Sequence, residues 1–221
     1  MACLSFHPRK IITTGEGGMV VTDDDATADS LRQLRNHGTL SRGGRMHFQQ
    51  VGYNFRLTEM QGAMGCLQMA HLPHFVTSRQ RVAAIYDRGL ETLNQHLRAS
   101  GLQIKAPTVP EGFSHAYQAY VVLLPEPISR DQVIESLRQQ GVESTIGTYA
   151  LHSQPYFQEQ LGLNPAHFPG AERAWRHSLA LPIHQRVSDD DAHHVLQALR
   201  LVLEPMLAPL LSNRPHATPE A

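Results

Sequence analysis

The stretch that decides the fold is SFHPRKIITTGEGG, which occupies residues 5–18. It contains Lys10, one of only two lysines in the chain, whereas arginine supplies the other cationic side chains. Apolar residues flank this lysine, and the glycines that follow allow backbone amides to approach a bulky group. A free lysine amine is protonated at neutral pH, and a desolvated pocket is one way to make it reactive. The stretch therefore suits a lysine that forms a Schiff base, and the alternative is a solvent-exposed lysine in a glycine-rich hairpin.

The same stretch gives little support for a nucleotide-binding loop. Its GEGG segment matches neither GxGxxG nor GxxxxGK followed by Ser or Thr, and it follows the lysine instead of preceding it. Ser5, by contrast, places a hydroxyl at a turn, where it could hydrogen-bond a phosphate.

The residues around this stretch predict short strands and one helix. Residues 2–6 and 18–22 are expected to form two short buried strands, so that Lys10 lies at a strand-to-turn junction. A helix is predicted over 26–38, preceded by three aspartates that suit a helix N-terminus and stopping at Gly38. The polar, glycine-bearing residues 39–55 predict a loop.

A second helix is predicted after Thr58, which forms a capping-box pattern with Gln61. Small residues in its first turns permit close approach of another backbone and favour an interface or a tightly packed core. Pro73 predicts a bend, and a helical pattern then continues over 75–93 into another domain. We therefore place a domain boundary near residue 76.

The rest of the chain predicts a small α+β layer. A strand is expected within 115–125, and Ser129 is expected to cap a helix that ends at Gly141. A strand over 142–145 follows, and Ser188 caps a last amphipathic helix that packs on the layer. The predicted organisation has three parts: a first domain over 1–76, a second domain over 77–212, and a disordered tail over 213–221.

Composition excludes several classes of function. The 221 residues carry a net charge of −1, so there is no cationic surplus for a nucleic-acid partner. Two cysteines, Cys3 and Cys66, form neither a disulfide framework nor a zinc pattern. We see no signal peptide and no apolar run long enough to span a membrane, which predicts a cytoplasmic protein. A metal site built from His37, His47 and His152 is the lowest-ranked alternative, and no metal is expected.

The stretch over residues 5–18 closely resembles the signature of the DegT/DnrJ/EryC1/StrS aminotransferase family. Further resemblance lies, in the family's order, in four segments: RNHG at 35–38, GYNFRLT at 52–58, LHSQPY at 151–156 and SLALPIH at 178–184. The resemblance implies an α/β protein with the pyridoxal-phosphate-dependent transferase fold type I, here a partial large domain plus an α+β C-terminal small domain. It also implies a homodimer with active sites at the subunit interface.

The same resemblance implies roles for individual residues. Lys10 would bind pyridoxal 5'-phosphate covalently, and because a dehydratase subgroup has histidine at that position, Lys10 favours transamination. Ser5 would contact the cofactor phosphate, and Asn54 would reach the phosphate bound by the neighbouring subunit. Arg56 and His152 would lie near a sugar-nucleotide substrate. The alternatives are that Asn54 is only a turn residue, Arg56 pairs with a surface carboxylate and His152 is a polar loop histidine.

The implied reaction is transfer of an amino group, from glutamate as donor, to a keto group on a nucleotide-linked sugar. In this family a phosphate-binding loop, a ring-stacking aromatic residue and an aspartate at the pyridine nitrogen precede the lysine, whereas nine residues precede Lys10 here. An alternative is therefore a catalytically inactive fragment that retains a dimerisation surface.

Overall fold

A computed structural model describes residues 1–97 and 101–212 of the chain, with side chains up to residue 209. The chain divides into two compact units, Met1–Phe75 and Val76–Ala221, which we call the N-terminal unit and the C-terminal unit. The predicted tail over 213–221 lies outside the described residues.

The N-terminal unit begins with a two-stranded antiparallel hairpin. Strands β1 (Ala2–Ser5) and β2 (Gly18–Val21) pair in a register that joins Ala2 to Val21 and Ser5 to Gly18. Both strands were predicted to be buried, and this was wrong, because every residue in them is exposed. The two strands form a sheet of their own, so no further strand among the described residues pairs with their edges.

Helix α1 (Asp25–Leu34) follows, and its N-cap Asp24 accepts a hydrogen bond from the Thr27 amide at 2.9 Å. The helix ends four residues before Gly38, where the sequence predicted its end. Gly38 instead has a φ of 67° in the turn that follows. A Cβ there would lie 1.8 Å from the Gln50 carbonyl oxygen, so the turn requires glycine.

The predicted loop over 39–55 contains an unpredicted hairpin. Strands β3 (Thr39–Arg42) and β4 (Arg45–Phe48) pair antiparallel around Gly43 and Gly44, whose φ angles are 58° and 73°. Two glycines with positive φ are the typical centre of a two-residue hairpin turn. The Gly43-Gly44 pair was the feature of the sequence that could have predicted this hairpin.

Helix α2 (Glu59–Leu97) runs from the N-terminal unit into the C-terminal unit. Its predicted capping box is confirmed, because Thr58 N donates to Gln61 Oε1 at 3.0 Å and Gln61 N donates to Thr58 Oγ1 at 3.3 Å. The helix continues through Pro73, where the sequence predicted a bend. Proline has no N–H, so the Met69 carbonyl loses its hydrogen-bond donor within the helix. Pro73 and Met69 are both exposed, and water can donate to this carbonyl instead.

The C-terminal unit contains a three-stranded antiparallel sheet in the order β5-β7-β6. Its strands are β5 (Tyr120–Leu123), β6 (Thr145–Ile146) and β7 (Ser178–Leu181). Strand β5 starts later than the predicted segment because Tyr117 has a φ of 47°, which interrupts an extended backbone. Of the strand predicted over 142–145, only Thr145 lies in β6.

Within the described residues, the C-terminal unit has four further α-helices: α3 (Arg130–Gln139), α4 (Pro155–Leu161), α5 (Pro169–His177) and α6 (Asp189–Ser212). The predicted caps are confirmed. Ser129 accepts from Gln132 N at 3.4 Å, and Ser188 accepts from Asp191 N at 3.0 Å. The apolar face of α6 belongs to one buried cluster with α2, α3 and the sheet; its fully buried members include Tyr86, Tyr120, Val133, Leu179 and Leu199.

Candidate functional site

The loop between β1 and β2 presents Lys10 to solvent. The Lys10 backbone N–H donates to the His7 carbonyl at 2.9 Å, which closes a tight turn. The side chain is exposed, and within the described part of the chain no hydrogen bond or ion pair holds its Nζ. Ser5, at the start of the same turn, is exposed as well, and its Oγ accepts from the His7 N–H at 3.4 Å. The turn therefore carries a hydroxyl and a primary amine.

Two threonines hold the rest of this loop together. Thr13 Oγ1 donates to the Phe6 carbonyl at 2.9 Å, and Thr14 N donates to the same carbonyl at 3.1 Å. Thr14 is buried, and its hydroxyl donates to the Glu16 carbonyl at 2.8 Å. A Cβ at Gly17 would lie 2.7 Å from the Thr14 hydroxyl oxygen, so this packing needs a glycine. The loop is thus fixed from inside, while Lys10 remains outside.

Helix α2 supports the loop through two glutamines. Gln61 Nε2 donates to the Glu16 carbonyl at 2.9 Å, and Gln68 Oε1 accepts from the Thr13 N–H at 3.4 Å. The two glutamines are seven residues apart and therefore lie on one face of the helix. Sequence reasoning used Gln61 only for the capping box and gave neither glutamine a role in the site. Their seven-residue spacing was the signal that could have shown it.

Asn54 and Arg56 lie on one extended segment that pairs with the end of α1. The Tyr53 N–H donates to the Leu34 carbonyl at 2.7 Å, and Asn54 forms a bridge with Asn36. Arg56 Nη1 donates to Asn36 Oδ1 at 3.0 Å, so its partner is an amide and not the surface carboxylate that was the alternative. Asn54 and Arg56 are both exposed.

The neighbours of Asn54 form an exposed aromatic pair. The rings of Tyr53 and Phe55 stack with centroids 4.9 Å apart and planes 4° from parallel. Both remain largely exposed, so this segment of the N-terminal unit carries apolar surface beside its polar groups.

His152 lies in the C-terminal unit, whereas the other four predicted site residues lie in the N-terminal unit. It is in a short 3-10 helix, Leu151–Ser153, and only 4% of it is exposed. Its Nε2 lies 3.1 Å from Glu172 Oε2, and its ring stacks on Phe168 with centroids 4.9 Å apart. His152 is therefore a buried, partnered residue, unlike the polar loop histidine of the alternative.

Three side chains contact the carboxylate of Glu172. Arg176 Nε lies 2.5 Å from its Oε1, while Ser153 Oγ and His152 Nε2 each lie 3.1 Å from its Oε2. The hydrogen bond from Arg176, followed by those from His152 and Ser153, lowers the pKa of Glu172 below its ordinary value. Sequence reasoning missed this residue.

The described residues provide neither a metal site nor a membrane-spanning helix. Within residues 1–97 and 101–212, no group of three or more His, Cys, Asp or Glu side chains is placed to hold a metal ion. The helices in the same ranges include none that combines the length and apolar character needed to cross a membrane.

The model of the DegT/DnrJ/EryC1/StrS aminotransferase family matches residues 1–200. GDP-perosamine synthase of Caulobacter vibrioides is 35% identical over 204 residues, which cover 91% of this chain and 52% of that protein. The spore coat polysaccharide biosynthesis protein SpsC of Bacillus subtilis is 29% identical over 213 residues, covering 90% of this chain and 53% of that protein.

Among solved structures, the aminotransferase TlmJ from Streptoalloteichus hindustanus aligns with a TM-score of 0.79 and 30% identity. The alignment covers 92% of this chain and 52% of that chain. The chain spans about half the length of the curated relatives it matches.

Fold and relatives together define a class: the chain has part of the fold of pyridoxal-phosphate-dependent transferases of fold type I. More specifically, it belongs to the DegT/DnrJ/EryC1/StrS aminotransferase family.

Proposed function

We propose that this chain is the lysine-bearing part of a pyridoxal-phosphate-dependent aminotransferase that transfers an amino group from glutamate to a nucleotide-linked keto-sugar. The β1–β2 loop carries the proposal, because it holds the Ser5 hydroxyl and the Lys10 amine on one turn that Gln61 and Gln68 tie to α2. The name of one relative, GDP-perosamine synthase, refers to a nucleotide-linked sugar and supports this substrate class.

The residues present fit the cofactor chemically. The aldehyde of pyridoxal phosphate needs a primary amine, and the Nζ of Lys10 has no carboxylate partner among the described residues. Its phosphate needs hydrogen-bond donors. Ser5 Oγ accepts one bond from His7 N, so its own proton remains available to donate. Asn54 offers a side-chain amide on the same unit.

Each residue then has a defined task. When bound, pyridoxal phosphate supplies an electron sink for the charge left at Cα after proton removal. The free amine of Lys10 would take the Cα proton of the amino donor and deliver it to C4′ of the cofactor, and in the second half-reaction it would move a proton from C4′ to the former keto carbon of the sugar. Ser5 binds the phosphate, and Asn54 binds the phosphate in the neighbouring subunit of a homodimer. Arg56 and His152 bind the sugar-nucleotide substrate.

Lysine labelling tests the cofactor assignment directly. The 221-residue chain is mixed with pyridoxal phosphate and reduced with borohydride, and the modified lysine is identified by mass spectrometry. We expect stoichiometric labelling at Lys10, loss of labelling in Lys10→Ala, and unchanged Lys10 labelling in the matched control Lys105→Arg. Absent labelling, or equal labelling at both lysines, contradicts the proposal for this chain. Transamination with glutamate and keto-sugar nucleotides is then assayed.

A second candidate function is a catalytically inactive chain that retains a dimerisation surface. The exposed apolar side chains of the N-terminal unit favour it, Phe48, Tyr53, Phe55, Met60 and Leu67 among them. A stable homodimer in sedimentation experiments, combined with absent Lys10 labelling, supports this candidate. A homodimer with Lys10 labelled supports the aminotransferase.

A further inference from the structure

The buried histidine of the C-terminal unit has a fixed donor pattern that can be worked out from its contacts. Glu172 is an ionised carboxylate at neutral pH, because Arg176 Nε lies 2.5 Å from its Oε1 and the hydrogen bond from Arg176 lowers its pKa. An ionised carboxylate only accepts hydrogen bonds. The His152 nitrogen that lies 3.1 Å from it, Nε2, must therefore carry a proton.

The other ring nitrogen is left without a proton. A neutral imidazole carries one N–H, so once Nε2 holds the proton, Nδ1 is an acceptor. No described residue donates to Nδ1 of His152. Only 4% of His152 is exposed.

The ring itself cannot turn freely. One face stacks on Phe168, at 18° between the planes, and Nε2 is bound at the opposite end from the main chain. Ser153 and Arg176 hold the carboxylate that holds the ring. Such a chain of contacts fixes the orientation of the ring and therefore the direction of Nδ1.

We propose that Glu172 is a positioning residue that keeps His152 in the Nε2–H form and thereby presents Nδ1 as a hydrogen-bond acceptor for a hydroxyl group of the ligand. A hydroxyl is the donor that a neutral, accepting nitrogen recognises, and sugars are rich in hydroxyl groups. The inference deepens the proposed function and rests on it for the nature of the ligand.

The tautomer is tested on the 221-residue chain by two-bond nitrogen–proton correlation NMR at about pH 8, above the ordinary titration range of histidine. The His152 signals are assigned from the spectrum of His152→Gln. We expect a protonated Nε2 and an unprotonated Nδ1. In Glu172→Ala the two tautomers should mix, and Glu172→Gln should lie between, because an amide has one acceptor atom for three donors. Glu159→Gln, at an exposed position on α4, should leave the signals unchanged. Protonation at Nδ1 in the unmodified chain overturns the proposal.

The ligand role is tested with uridine diphosphate glucose as the probe. His152→Gln is the informative variant, because its amide can still donate to Glu172 but has no acceptor at the position of Nδ1. We expect the probe to shift the Nδ1 signal of the unmodified chain, and His152→Gln to weaken binding about five-fold, the effect of one neutral hydrogen bond. A probe that fails to bind, or binds without shifting Nδ1, overturns the ligand role.

The two proposals fail in different ways. Lys10 labelling with a proton on Nδ1 leaves the aminotransferase assignment standing and removes the role of Glu172. The predicted tautomer without Lys10 labelling removes the aminotransferase assignment for this chain and leaves the role of Glu172 standing. Circular dichroism of the Glu172 variants shows whether each is folded, so that a lost tautomer preference is read only from folded protein.

Discussion

The two units of the chain differ in where their apolar side chains lie. In the C-terminal unit they form one buried cluster that joins the sheet to helices α2, α3 and α6. In the N-terminal unit the buried positions are Thr14, Gly38 and Thr39, and large apolar side chains such as Leu4 and Phe48 are exposed. Because burial of apolar surface is the dominant favourable term in folding, the C-terminal unit can stabilise itself. The N-terminal unit has no such cluster, and its large apolar side chains remain exposed.

This difference bears on the site. Ser5, Lys10, Asn54 and Arg56 all lie in the unit without an apolar core, whereas the His152 cluster lies in the unit that has one. We therefore expect the His152 cluster to keep its geometry in the isolated chain more reliably than the lysine loop does.

The largest expected effect compares two leucines that both lie in strands. Leu179 in β7 is fully buried, and Leu4 in β1 is 50% exposed. Leu179→Ala leaves a cavity in the core and should cost about 2 to 5 kcal/mol of unfolding free energy. Leu4→Ala should change it by less than about 0.5 kcal/mol. Denaturant unfolding of both variants measures the difference.

A large cost for Leu4→Ala would break the comparison, because it would show that β1 is covered in solution. Repeating the measurement over a range of protein concentrations then shows whether a second copy covers it, since stability that depends on association rises with concentration.

Two arginines give the next effect in size. Arg79 is buried, and its Nη1 donates to the carbonyls of Tyr117, at 3.0 Å, and Ile183, at 3.0 Å. Burial lowers its pKa. Arg79→Ala leaves these carbonyls without their donor and should cost about 1.5 to 3 kcal/mol. Arg32→Ala, which removes an exposed ion pair with Asp29 in the N-terminal unit, should cost less than about 0.5 kcal/mol.

Unfolding monitored by tyrosine fluorescence measures both arginine variants. Arg79→Lys should recover part of the loss, because one ammonium can still donate to carbonyls. If Arg79→Ala is no worse than Arg32→Ala, water replaces the guanidinium, and the loop around Tyr117 is not held by this side chain.

Local features were the ones that the sequence could predict. The caps at Ser129 and Ser188 and the Thr58–Gln61 box each involve residues within three positions, so their patterns are visible in a single segment. The continuation of α2 through Pro73 was not predictable, because it depends on the solvent exposure of that face of the helix.

The contacts that organise the site join residues far apart in the chain. Gln68 binds Thr13 across 55 positions, and His152 binds Glu172 across 20. No periodicity links such partners, so the sequence suggested candidates for the site but not their hydrogen bonds. Burial of β1 and β2 was predicted from their apolar residues alone. Whether a strand is buried also depends on a covering layer, which no residue of the strand encodes.

The smallest expected effect compares two carboxylates with lowered pKa, one in each unit. A hydrogen bond from the Thr27 side chain is the main cause at Asp24, and one from Arg176 is the main cause at Glu172. A carboxyl whose pKa is lower in the folded state stabilises the fold above its unfolded pKa, and this contribution is lost as the pH falls through the folded pKa. Glu172→Gln should therefore reduce the loss of stability below about pH 4.5, the ordinary pKa of a glutamate.

Asp24→Asn is the matched variant in the N-terminal unit and keeps a capping side chain. It should leave that loss of stability unchanged if the two units unfold separately. Urea midpoints between about pH 3 and 7 measure both variants, and an equal flattening by Asp24→Asn would show that the two units unfold together.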